Sequence, residues 1–490
     1  MEARVVVDYL GPWAAGKGSL QQKLTRGLIQ SIRHGLLTPG LRLPSERNLA
    51  QALSLSRTTV VAAYDNLREG GWVESRSGSG TRVCVRSDVV AAARNVAQAS
   101  VLSASPLLGL LANDDRTNTI DFALGTPLPL AGLPIELFGV SPEEHTALVN
   151  DHRYYPMGLA ALRQAIAASY CNGGLHTTHE QVLVTNGAQQ AIALCAALFL
   201  QRGDTALVED PAYFGALDAF RAVGARISPL PVPVNGVRPS VIRDRITATA
   251  ARLVYLTPTF QNPTGEVMPR SARKEVAQIV TELGVPLIDD ATVAEVIFGG
   301  TAPPPTIAVD CPNGMVLTIG SLSKLVWAGL RIGWVRAPEP IIQRLARLKS
   351  AADLGSPLLT QRIAVRLVGA TDEFRKMRRL QLKPRRDLLV TLLKQHLPEW
   401  KFRVPNGGLF LWVKLPYGDS REFAQVALRH GVILLPGPVM SDREEHVRFI
   451  RLPFLAELET LTSGVNRLAS AWRDYQSSDR PQTPSSVALV

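Results

Sequence analysis

Cysteine is scarce: four in 490 residues, at Cys84, Cys171, Cys195 and Cys311, with no C-x-x-C pair among them. That scatter excludes a disulfide framework and a structural zinc site, and no metal centre is expected. Long apolar runs are also missing. The best candidate, residues 191–200, stops at Gln201 and Arg202, about half the length a membrane span needs. The N-terminus lacks the apolar core of a signal peptide, so a cytoplasmic chain with no membrane partner is expected. Charged residues make up only 19% and hydrophobic residues 46%, which rules out a disordered, collagen-like or coiled-coil chain.

Length is plentiful, enough for two or more domains and a large core. The net charge is +11, and residues 1–86 hold 12 Lys/Arg against 6 Asp/Glu. More than half the excess thus sits in under a fifth of the chain. A basic module of this kind can track phosphates, although an ordinary solvated surface looks the same by charge alone.

A helix is predicted from Ser19 to about Arg33: Ser19 and Gln22 form a capping box, and Leu20, Leu24, Leu28 and Ile32 make one stripe. Ser45 and Ser56 open two more helices, the second ending at Gly70-Gly71. Residues 72–76 and 81–85 read as two short strands around Ser77-Gly78-Ser79-Gly80. Three helices and a hairpin make a winged helix-turn-helix. Burying Val60, Val61, Tyr64 and Leu67 turns Arg57, Thr58 and Thr59 outward at the first turn of the third helix. Arg reaches guanine with two hydrogen bonds, and Thr reaches phosphates or thymine methyls. Arg76 and Arg82 flank the wing. The string PGLRLPSERNLAQALSLSRTTVVAAYDNLREGGWVESRSGSGTRV, residues 39–83, closely resembles the GntR-type winged-helix domain. The resemblance implies double-stranded operator DNA as partner, with contacts from Arg47, Arg57, Thr58, Thr59 and Gly80; Arg82, from its place on the wing, is expected to contact phosphate.

The expected division is a DNA-binding domain at 12–86, a linker at 87–119, a large domain at 120–475 and a disordered tail at 476–490. In the large domain, short apolar runs at 182–185, 206–209, 253–256, 286–290, 316–320 and 331–335 alternate with helical segments. That is the pattern of an α/β domain with a mostly parallel sheet, which binds ligands at the C-terminal strand ends.

The residues at those ends carry chemistry. Lys324 follows Ser321-Leu322-Ser323, with Arg331 seven positions on: a lysine able to form a Schiff base and an arginine able to hold a phosphate. Asp289-Asp290 ends an apolar strand, and only one of the pair can face a ligand; Asp290 is the choice. A buried carboxylate there suits a protonated pyridine nitrogen. Asn186-Gly187-Ala188-Gln189 opens a helix whose N–H groups point at an anion. Asn262, in QNPTG, can bond a ring hydroxyl or simply make a turn, and Tyr213 can stack on a flat ring or fill a core. An arginine of the run Arg448 to Arg451 can clamp a carboxylate.

From about Asp121 to Arg473 the strings TNGAQQAI, DPAYFG, QNPTG, PLIDD, SLSK, GLRIGW, PNGGLFLWVKLP and IRLPF resemble, in order, the fold-type I, class I aminotransferases. The resemblance implies pyridoxal 5′-phosphate on Lys324 through an aldimine, with Asp290 at the ring nitrogen, Asn262 at the ring hydroxyl and Tyr213 on the ring. It implies Gly187, Ala188, Gln189, Ser321, Ser323 and Arg331 around the phosphate, and Arg451 on an effector carboxylate. Tyr154, or its neighbour Tyr155, would reach the partner subunit's phosphate in a homodimer.

A GntR-type reader joined to such a domain resembles the MocR family of bacterial regulators. The expected fold is therefore multi-domain: a winged helix-turn-helix plus a fold-type I α/β domain with a smaller C-terminal subdomain. The expected function is transcription regulation through sensing of an amine, an amino acid or the cofactor itself, nucleoid-associated when DNA-bound. Two rivals are a true aminotransferase carrying a reader, and a DNA-binding protein whose large domain only dimerises. Thr292 and Val293 stand where aminotransferases often place a tyrosine, which points away from catalysis. Asn262 is more enzyme-like than the bulky residue many such regulators carry, which points toward it.

Overall fold

The computed structural model describes residues 2–477 except 12, 15–17, 77–79, 85–118, 131, 300–301 and 444. The expected linker, apart from its last residue, the wing tip and almost all of the expected tail lie outside the described residues. No helix among the described residues is long and apolar enough to cross a membrane.

Three serines start the three helices of the N-terminal module. Ser19, Ser45 and Ser56 accept hydrogen bonds from the backbone N–H groups of Gln22, Asn48 and Thr59, opening Leu20–Arg33, Glu46–Leu53 and Arg57–Glu69. Each cap satisfies a donor that the first helical turn would leave unpaired. Leu24, Leu28, Ile32, Leu49, Leu53, Val60, Tyr64 and Leu67 are buried together, and the Tyr64 hydroxyl donates to the Pro44 carbonyl at 2.9 Å. Strands β1 (Val73–Arg76) and β2 (Gly80–Val83) pair antiparallel as the wing. A further helix, Ala3–Leu10, adds Val6, Val7 and Leu10 to this core. It lies outside the bounds expected from sequence, which began at residue 12.

Strand β3 (Ile120–Phe122) precedes the large sheet of β4 (Val182–Thr185), β5 (Thr205–Asp210), β6 (Arg226–Pro231), β7 (Leu253–Leu256), β8 (Leu287–Asp290), β9 (Val316–Ser321) and β10 (Gly333–Arg336). The order is β4-β10-β9-β8-β7-β5-β6. Only β10 runs antiparallel, to both of its neighbours. Every residue of β4, β5, β7, β8 and β9 is buried, as expected for a sheet covered on both faces. Edge strand β6 was not expected, and Arg331 precedes β10 in a left-handed conformation (φ 51°) instead of lying within a strand.

The smaller subdomain holds β11 (Lys401–Phe402), β12 (Phe410–Lys414), β13 (Val432–Pro436) and β14 (Phe449–Pro453). Its order is β11-β12-β14-β13-β3, so the first strand after the linker completes a sheet otherwise made by the C-terminal residues.

One helix of this subdomain, Ser420–Arg429, also serves the N-terminal module. Its Leu428 is buried in the same cluster as Leu49, Leu53 and Val60. Gln425 accepts a hydrogen bond from the Trp13 indole at 3.0 Å, and Arg429 donates to the Leu53 carbonyl at 3.0 Å.

Candidate functional site

The strand ends of the large sheet bring the chemistry together. Lys324 follows β9, and its Nζ donates to the Gly125 carbonyl at 2.7 Å. Burial first, then the charges of Arg451 and Arg331, push its ammonium down to about 8. At neutral pH a useful fraction of such an amine is unprotonated and nucleophilic.

Asp290, at the end of β8, is 3% exposed. It accepts from the Tyr255 hydroxyl at 2.5 Å and from the Thr292 N–H at 3.0 Å. Burial raises its carboxyl above the usual range, and those two donors oppose the rise. Asp289 faces elsewhere and accepts from the Thr306 hydroxyl and the Ile307 N–H at 2.6 and 2.8 Å. Alternation along the strand separates the two carboxylates. Tyr213, whose hydroxyl burial pushes up to about 12, feels Asp290 as its next influence.

A cradle lies at the start of helix Ala188–Phe199. Gly187 (φ 84°) precedes it, and a Cβ there would sit 2.7 Å from an Arg331 guanidinium nitrogen. A Cβ on Gly333 would sit 2.7 Å from the Gly187 carbonyl carbon. Only glycine allows this closeness. Arg331 donates to the Asn186 carbonyl at 2.8 Å. Ser321 bonds Ser323 at 3.1 Å, and the Gln189 side-chain amide donates to the Gly215 carbonyl at 2.7 Å. Helix N–H groups, two hydroxyls and a guanidinium around two glycines form an anion cradle.

Arg451, on β14 of the smaller subdomain, is 2% exposed. It donates to the Asn262 side-chain carbonyl at 3.3 Å and to the Ala123 carbonyl, and its guanidinium lies 4.1 Å from the Phe410 ring centroid. Asn262 thus faces Arg451 here. Tyr154 is 68% exposed, whereas Tyr155 is tied to Asp151 at 2.6 Å.

On the N-terminal module, Arg47, Arg57 and Thr58 are exposed. Ser56 bonds the Thr58 and Thr59 hydroxyls at 2.8 Å each. Arg82 donates to the Gly40 carbonyl at 2.9 Å, and a Cβ on Gly80 would meet the Arg42 guanidinium at 2.8 Å.

The sequence reading missed Gly125, Ala123 and Tyr255. The first two sit beside β3, in a segment with no motif. Tyr255 sits in an apolar strand, where periodicity says nothing of its hydroxyl.

Residues 118–462 match the family model "Aminotransferase class I and II", and residues 20–83 match "Bacterial regulatory proteins, gntR family". The chain is 31% identical to the uncharacterized HTH-type transcriptional regulator YisV of Bacillus subtilis, over 95% of this chain and 99% of that one. It is 30% identical to the probable rhizopine catabolism regulatory protein MocR of Rhizobium meliloti, over 78% of each. The chain belongs to the MocR-type regulators. The solved structure of LysN, an alpha-aminoadipate aminotransferase from Thermus thermophilus complexed with N-(5′-phosphopyridoxyl)-L-leucine, matches 74% of this MocR-type chain and 94% of its own. The identity is 30% and the TM-score 0.65. A GntR reader joined to a fold-type I aminotransferase domain is thus the architecture of this MocR-type chain.

Tyr255 gives a prediction at this site. Its hydrogen bond to a carboxylate is expected to contribute about 1.5–3 kcal/mol. If a cofactor is held at Asp290, Tyr255→Phe should weaken its binding by about ten- to a hundredfold and shift the pH titration of its chromophore. An unchanged titration would make Tyr255 a packing residue only.

Proposed function

We propose that this regulator holds pyridoxal 5′-phosphate at Lys324 and reports amines at that site to DNA. The residues fit the group. The glycine cradle with Arg331, Ser321 and Ser323 suits its phosphate, as do Ala188 and Gln189 at the helix start. Asp290 is buried with only neutral hydrogen-bond donors and suits a protonated ring nitrogen. Tyr213 would lie on the ring and Asn262 at its hydroxyl. Arg451 Nε is buried without a partner among the described residues, as a clamp for a carboxylate requires. When bound, the cofactor supplies an aldehyde that captures primary amines and a ring that withdraws their electrons.

Lys324 is the group an effector amine competes with. Arg451 holds an effector carboxylate and, being on the smaller subdomain, draws that subdomain toward the large sheet. Tyr154, exposed on one protomer, serves the site of a second in a homodimer. Arg47, Arg57, Thr58, Thr59 and Gly80 face double-stranded operator DNA, with Arg82 on the backbone.

The carrying observation is Leu428, which a sensing subdomain contributes to the reader's core. Helix Ser420–Arg429 thus offers a route from that subdomain to the reader that does not pass through the linker at 87–119. Leu428→Asp should break the docking, so that an amine still changes the cofactor spectrum but no longer shifts operator affinity. A variant whose operator affinity still responds fully would exclude this helix as the route.

Arg57→Ala should cost about 1–3 kcal/mol on the operator and relax its sequence preference. Arg82→Ala should weaken all DNA alike. Equal loss of specific and non-specific binding by Arg57→Ala, measured by anisotropy titration, would demote it to a backbone contact.

A transaminase is the second reading, favoured by the nucleophilic Lys324. Sustained turnover of an amino donor with a keto acceptor would establish it.

A further inference from the structure

Beyond Arg451 the two subdomains leave a cleft of about 820 Å³ between the end of β6 and the open face of the smaller sheet. This volume lies in the range of small-molecule pockets. Phe410, Trp412 and Lys414 of β12 pair in register with Pro453, Arg451 and Phe449 of β14, so all six share one face. Arg451 and Phe410 belong to the lysine site. Further along, Trp412 stacks on Phe449 with ring centroids 5.0 Å apart and planes 12° apart, and Lys414 Nζ lies 5.7 Å from the Phe449 centroid.

Charge in this cleft is net positive. Of its three carboxylates, Glu266 pairs with Arg403, Glu445 with Arg443 at 3.8 Å, and Asp210 hydrogen-bonds the His446 ring at 3.1 Å. Arg238, Arg245, Lys401 and Lys414 line the same cleft, and none has a carboxylate partner among the described residues. Four cations without a carboxylate partner, against the one carboxylate Asp210, leave a positive potential over a concave, partly apolar wall. Beside them the aromatic pair offers a flat surface.

We propose that this cleft is a second small-molecule site, taking an anion carried on a flat ring, such as a phosphate monoester of a heteroaromatic. None of the residues assigned to the cofactor lines it. The chain nevertheless ties the two sites together, for Pro211, Thr264 and Phe449 each stand two residues from Tyr213, Asn262 and Arg451. A ligand bridging β6 to β12 and β14 would hold the subdomains at a fixed separation, and so bear on the closure proposed for Arg451. That consequence rests on the cofactor reading; binding itself does not.

The test is calorimetric titration of the full chain with adenosine 5′-monophosphate, set against adenosine and inorganic phosphate. The monophosphate should bind at least about tenfold more tightly than either fragment. Lys414→Gln, Arg245→Gln and Trp412→Leu should each weaken it about tenfold or more. Each of these three variants should still acquire the wild-type absorption from pyridoxal 5′-phosphate, which separates this site from the cofactor reading. No binding, wild-type affinity in all three cleft variants, or binding lost on Arg57→Ala instead would overturn the proposal.

Discussion

Lys324→Ala is expected to abolish the visible absorption that pyridoxal 5′-phosphate bound as proposed would give the wild-type protein, and to leave the fold intact. Lys324 follows a fully buried strand, and its Nζ makes one hydrogen bond, to the Gly125 carbonyl. Truncation removes a nucleophile and one hydrogen bond and leaves the buried strand before it unchanged. Borohydride treatment should fix the cofactor covalently to wild type and not to the variant. The amine also sets a pH dependence. With its ammonium pushed down to about 8, Lys324 is protonated and unreactive below that pH and free above it. The rate of cofactor capture should rise with pH through about 8 and then level off. Retention of the band in the variant after dialysis would mean another lysine carries the cofactor.

Asp290→Ala is expected to weaken the cofactor far more than Asp289→Ala. Asp290 is buried with no cationic partner among the described residues, and its donors are the Tyr255 hydroxyl and the Thr292 N–H. Pairing with a protonated ring nitrogen would replace an unfavourable buried charge by an ion pair, and leaving that nitrogen unpaired costs about 3–5 kcal/mol. The loss should approach a thousandfold. Asp289 instead holds Thr306 and Ile307, so its removal should lower stability and leave affinity in the surviving folded protein nearly unchanged. Thermal melting and cofactor titration on both variants separate the two roles. Equal losses of affinity would show that the carboxylates act as a pair.

The opposite facing of Asp289 and Asp290 was legible because consecutive residues at the end of a strand must face opposite ways. The serine caps of the reader were legible for a similar reason: each helix start carries its own hydrogen-bond signal, readable without the fold. Strand β6 was not. Its Pro229 and Pro231 argue against a strand interior, and they are tolerated because β6 is the sheet edge and pairs only with β5. Arg331 looked like a strand residue because Leu330 and Ile332 flank it, yet its left-handed turn places it against Gly187. Helix Ala3–Leu10 spans eight residues, too short to declare itself by periodicity, and is held by the core it joins. Tyr255 and Leu428 exemplify the deepest limit. Their partners are fixed by the meeting of strands and subdomains far apart in sequence, and no local pattern encodes such a meeting.

The central claim is that the lysine site and the reader share one free-energy coupling. The most direct measurement is operator affinity of the cofactor-loaded protein, with and without a primary amine that visibly changes the absorption at Lys324. A coupling of about 1–3 kcal/mol predicts a shift of about 5- to 150-fold, and operator DNA must change the amine's affinity by the same factor. Operator affinity that stays constant for every amine that changes the spectrum would contradict the account.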